Sequence, residues 1–107
     1  MPGLNATSFG IKRAGIPVRT LFTDVLNATS TIDPASLVDG AGATSTVTVT
    51  GAALGDYVLV AAPYDIQDLI VTGYVQAANT VEIRIQNESG ATVDLASGTW
   101  KVKVLKG

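Results

Sequence analysis

The chain has no cysteine and no histidine. Without cysteine there is neither a disulfide framework nor a thiolate metal site. Without histidine the commonest general base and the commonest metal ligand are both missing. Charge is scarce as well. Charged residues make up 15% of the chain, where free soluble domains usually carry about a quarter to a third of their surface as charge. The net charge is −2, which gives no electrostatic footprint for nucleic acid or an anionic membrane. No apolar run approaches the roughly 20 residues of a membrane-spanning helix. The N-terminal region also lacks the basic, apolar and small-residue succession of a signal peptide, so none is expected. At 107 residues the chain suits one domain, long enough to bury roughly two-thirds of its unfolded surface without a staple. Uncharged polar and small residues must then cover the surface, which suits a protein that works against other proteins.

What the chain does have is a β pattern. Ala43 to Thr50, closed by Gly51, alternates at every step. Ser45, Val47 and Val49 fall on one face of a strand, and Thr44, Thr46, Thr48 and Thr50 on the other. Both Thr and Val are β-branched, which favours a pleated backbone. Thr80 to Asn87 alternates too, predicting Val81, Ile83 and Ile85 inward and Glu82, Arg84 and Gln86 outward. So does Thr99 to Leu105, with Trp100, Val102 and Val104 inward and Lys101 and Lys103 outward. Leu69 to Gln76 is a further strand, in which Gly73 marks a bulge or a close approach. Tyr57 to Ala62 is a continuous apolar run that reads as buried on both faces, stopped by Pro63. Ser36 to Asp39 is a short strand candidate. Ala77-Ala78-Asn79 makes a tight turn, and Glu88 to Gly98 a loop with Val93 and Leu95 tucked in. Short strands at regular spacing with Gly-rich turns predict an all-β protein, an antiparallel β-sandwich or jelly-roll-like barrel.

The first 31 residues differ. Their apolar residues follow neither period 2 nor period 3.6, and up to Thr23 they hold Lys12, Arg13 and Arg19 but no acid. We expect an extended N-terminal arm over residues 1–31, which can include a first strand, and a β-sandwich body over 32–107. The arm residues expected to dock on a partner are Leu4, Phe9, Ile11, Lys12, Arg13, Arg19 and Phe22. An ordinary first strand over Ile16 to Thr23 is the plainer reading of the same stretch.

No constellation for catalysis emerges. The serines have no histidine to activate them, and Lys101 and Lys103 point away from the interior. Asp65 and Asp68 share a loop, with Asp56 as a possible neighbour, but the loop lacks an Asp-x-Asp-x-Asp-Gly calcium pattern. They read as solvated carboxylates. Gly40-Ala41-Gly42 lacks the Lys-Ser/Thr of a phosphate loop. Trp100 shares its face with Val102 and Val104, so it reads as core. Tyr64 is the one aromatic of the body expected to be exposed. The Asn-x-Ser/Thr triplets at Asn5, Asn27 and Asn87 read as accidents of a Thr-rich composition. The expectation is a non-enzyme with no cofactor and no metal.

Two stretches, IDPASLVDGAGATSTVTVTGAALGDYVLV and VTGYVQAANTVEIRIQNESGATVDLASGTWKVKV, carry a resemblance. Its pieces are the 42–51 run, Leu54-Gly55-Asp56, the Ala78-Asn79-Thr80-Val81 turn, and Gly90 to Gly98 leading into the last strand. Over residues 32–104 the chain resembles the head decoration (cement) proteins of tailed bacteriophages, which have a jelly-roll-like fold. The resemblance implies a structural protein on the outer capsid surface, present in the host cytoplasm during assembly. It also implies binding across neighbouring major capsid protein subunits, commonly as a homotrimer. Tail-fibre, spike or baseplate modules are the alternative reading, and a free lectin or carbohydrate-active domain a more distant one. On the first reading, the hydroxyl row Thr44, Thr46, Thr48 and Thr50 is expected at an intersubunit contact, because it packs against protein without burying charge.

Overall fold

The computed structural model describes residues 22–107. Six strands follow one another: β1 (Asp24–Ile32), β2 (Gly42–Thr48), β3 (Tyr57–Ala61), β4 (Ile70–Ala77), β5 (Thr80–Gln86) and β6 (Gly98–Lys106). Among the described residues there is no helix. The strands form two antiparallel three-stranded sheets, ordered β1-β6-β3 and β2-β5-β4. The fold is an all-β sandwich. No backbone ladder joins the two sheets among the described residues, so the barrel form of the expectation is not what pairs.

The central strand of each sheet is one of the two that alternate most cleanly in sequence. In β5, Val81 and Ile83 are wholly buried and Ile85 nearly so. In β6, Trp100 and Val104 are wholly buried and Val102 nearly so. A central strand has neighbours on both sides and a facing sheet above its inner face, so its inward residues lose all contact with water. Each such aliphatic side chain contributes about 1.5–3 kcal/mol by leaving water. Val47, Val49 and Val75 complete one sheet's inner face and Ile32 the other's, while Leu37, Leu69, Val93 and Leu95 fill in from the connections. Val93 and Leu95 thus lie where the sequence placed them. Ser36 to Asp39 shrinks to a single bridge between Leu37 and Val93.

Several expectations need correcting. β1 belongs to the body: Leu26 and Ala28 pack on the core and every residue of Asp24–Ile32 pairs with β6. The described body therefore takes in the first strand that the arm was expected to be able to include, and reaches back through Thr23, which bonds Lys106 O, to Phe22. The portion of the arm that falls on residues 1–21, with Leu4, Phe9, Ile11, Lys12, Arg13 and Arg19, lies outside the described residues, as does most of the alternative strand over Ile16 to Thr23.

The Tyr57 to Ala62 run is not buried on both faces. It is an edge strand with only Val58, Val60 and Ala62 turned to the core, and it leaves Tyr57 60% and Leu59 56% exposed. Gly73 is a close-approach site. A Cβ there would meet Val60 Cγ2 at 2.5 Å and Val58 Cγ1 at 2.9 Å. The irregular register of β4 falls later, between Val75 and Ala77. The β4–β5 turn holds Asn79 in the left-handed region at φ 63°, where a short polar side chain is tolerated. Its Oδ1 accepts from Gly51 N at 2.8 Å, tying this turn to the one that ends β2.

Candidate interaction surface

The two outer sheet faces differ in chemistry because alternation sends different residues out. On β2-β5-β4 the outward threonines Thr44 and Thr46 lie opposite Arg84 and Glu82, which lie opposite Thr72 and Tyr74. Thr44, Thr46 and Thr48 are exposed in one row. Thr50 is exposed as well but sits in the turn beyond the end of β2, so the ladder holds three of the four. The charges beside the row are occupied by neighbours. Tyr74 Oη donates to Glu82 Oε2 at 2.6 Å, and Gln76 Nε2 donates to Glu82 Oε1 at 3.2 Å. Arg84 Nη2 donates to Gln86 Oε1 at 3.0 Å. The hydrogen bond to Glu82 holds the Tyr74 phenol above its ordinary pKa, because ionising it would set two anions side by side. The result is a face of hydroxyls and internally paired polar groups, bordered by Ile70 at 50% exposure.

The outer face of β1-β6-β3 is of a different kind. Val25, Leu105 and Tyr57 form one row across the sheet, Asn27, Lys103 and Leu59 the next, and Thr29, Lys101 and Ala61 a third. Phe22 meets Tyr57 edge-on, with ring centroids 6.2 Å apart at 70°. Phe22 is half-buried and is the one predicted docking residue of the arm that the structure places. A shallow trough runs over β6, lined by Asn27, Thr29, Leu59, Ala61, Lys101 and Lys103. Lys103 Nζ donates to Asn27 Oδ1 at 2.5 Å. This face carries lysines and apolar side chains together; its aromatic Tyr57 is of a kind enriched at protein interfaces and its lysines are of a kind depleted there.

The carboxylates do not converge. Asp56 Oδ2 accepts from Ala53 N at 2.9 Å and from Lys106 Nζ at 2.5 Å. The Lys106 hydrogen bond, then the Ala53 amide, hold its carboxyl below the ordinary range. Asp65 Oδ1 accepts from Gln67 N at 2.9 Å inside its own loop. Among the described residues no three acidic, histidine or cysteine side chains gather as a metal site. Tyr64 is half-buried, against expectation. Its ring stands edge-on to Trp100 at 6.0 Å, and its hydroxyl donates to Ala96 O at 2.5 Å. Tyr57 and Tyr74 are the exposed aromatics instead.

Asn87 is the residue whose importance the sequence reading missed. Its side chain is wholly buried. Nδ2 donates to Leu37 O and to Ala91 O, each at 2.8 Å, and Oδ1 accepts from Ser89 N at 2.9 Å and Ser89 Oγ at 2.7 Å. The Asn87-Glu88-Ser89 triplet is therefore a staple between two loops, and its amide is closed to a glycan. The signal was present: Asn87 continues the inward series 81, 83, 85, and a polar residue on a core face must find partners. No protein-family model, curated protein or solved structure matches the chain.

Proposed function

We propose that this chain is a structural virion protein that coats the outside of an assembled phage capsid and stabilises it by bridging neighbouring major capsid protein subunits. The observation that carries the reading is the exposed Thr44, Thr46 and Thr48 row, beside Glu82 and Arg84, which are hydrogen-bonded to neutral neighbours on their own sheet. The hydroxyl row itself packs against protein without burying a charge. The resemblance supplies the shell as partner, since its stretches run from Ile32 to Val104 across β2, β5 and β6. A protein that binds the assembled lattice but not free subunits stabilises assembly by mass action. Several weak contacts per oligomer add through effective concentration.

The test is uptake by purified heads assembled without the chain. They should bind it in hundreds of copies spread over the head and then resist heat or chelation longer. Labelling confined to the tail, at tens of copies, would replace this reading with the tail-module one. No uptake at either place would overturn both.

A further inference from the structure

Charge in this sandwich is distributed the opposite way from the usual protection of sheet edges. Among the described residues the four edge strands, β1 and β3 of one sheet and β2 and β4 of the other, hold a single charged residue, Asp24 at the very start of β1. The two central strands hold Glu82, Arg84, Lys101, Lys103 and Lys106. Edges normally carry lysine, proline or a bulge because their unpaired amides and carbonyls template another strand. Three of the edges here have some defence. β3 is five residues long and ends near Pro63, β4 contains Gly73 and a register shift, and β2 opens on Gly42. β1 has none. It runs nine residues without glycine, proline or irregularity, and its outer side has no ladder among the described residues.

We propose that β1 pairs antiparallel with β1 of a second copy, joining two three-stranded sheets into one of six strands. A second copy is the occupant because the strand is self-complementary. In full overlap Ala28 faces itself, Asn27 faces Thr29, Val25 faces Thr31 and Leu26 faces Ser30, while the end pair sets the exposed Asp24 against the buried Ile32. Core-facing residues meet core-facing ones, outward meet outward, and no like charges oppose each other. Val25 and Leu26, half-buried in the single chain, gain cover. Such a contact is isologous and closes as a pair, unlike the trimer the resemblance implies. It stands whether or not the chain coats a shell.

Sedimentation of the full chain from micromolar to millimolar concentration reads the contact. A monomer–dimer equilibrium is expected, with amide exchange in β1 slowing as dimer accumulates. The double variant Asn27→Glu/Thr29→Glu sets each new carboxylate opposite Lys103 or Lys101 of its own sheet, where it attracts. Across the two-fold axis it sets carboxylate against carboxylate. It should keep the wild-type circular dichroism and weaken dimerisation by about tenfold or more. A monomer at every concentration, a trimer, or a dimer that the variant leaves as tight as before overturns the proposal. Should the variant not fold, exchange in the wild-type chain decides, and β1 amides indifferent to concentration refute it.

Discussion

Asn87 and Gly73 show how single positions hold this sandwich together. Every polar atom of the Asn87 side chain is used, in a place without water. Asn87→Ala would take from the Leu37 and Ala91 carbonyls one of two donors each, leaving Val93 N and Ser89 Oγ, and would leave the Ser89 amide without its acceptor. It should destabilise the fold by about 1–3 kcal/mol, the cost of one unsatisfied group together with the lost bonds. Urea unfolding followed by Trp100 fluorescence measures this, and a loss under about 1 kcal/mol would show the staple to be dispensable. Gly73 acts through absence. Its inner face lets Val58 and Val60 of the opposite sheet approach, and an alanine methyl would overlap both. Gly73→Ala should cost about 1–3 kcal/mol by overpacking, despite the gain alanine normally brings to a strand. The same denaturation experiment reads it, and a neutral or stabilised variant would mean that the sheets part easily there.

Among the elements, the strands were legible to the degree that their two faces differ. β2, β5 and β6 alternate in sequence, so their boundaries and inward residues could be read within a residue or two. The Tyr57 to Ala62 run has no alternation to read, because Leu59 faces solvent on an edge strand. Tyr64 was misjudged because its partner Trp100 is 36 residues away. Strand order β1-β6-β3 is likewise non-local, so the chemistry of an outer face, assembled from three distant segments, cannot be seen in any one of them. A pH dependence belongs at this scale as well, because Asp56 and Lys106 tie the start of β3 to the end of β6. Asp56 releases its proton more readily folded than unfolded. Its contribution is complete above the unfolded value of about 3.9 and is lost as pH falls through the lower folded value. Asp56→Asn should therefore be less stable than wild type near neutrality, and the two should converge in acid. Urea midpoints across that range check it, and a gap that persists unchanged in acid would rule out the ion pair as its source.

At the scale of the whole molecule, the question is how a small, weakly charged sandwich would hold a partner. Its described surface offers a hydroxyl face and a mixed cationic and apolar face, and the chain leads from Phe22 on the second of these into residues 1–21. If the body supplies broad contact and the N-terminal segment supplies anchors, binding energy concentrates in a few large side chains, as interfaces generally show. Phe9 and Phe22 are the only phenylalanines in the chain. Phe9→Ala should therefore weaken uptake by purified heads by about 2 kcal/mol or more, roughly thirtyfold, while leaving the unfolding midpoint of the sandwich unchanged. Phe22→Ala should lose both, since its ring also packs on Tyr57 within the folded body. The contrast between the two separates an anchor from a residue packed on the body. Equal uptake by wild type and Phe9→Ala would mean that the sheet faces alone hold the shell. A thermal midpoint lowered as much by Phe9→Ala as by Phe22→Ala would instead make residues 1–21 part of the folded body.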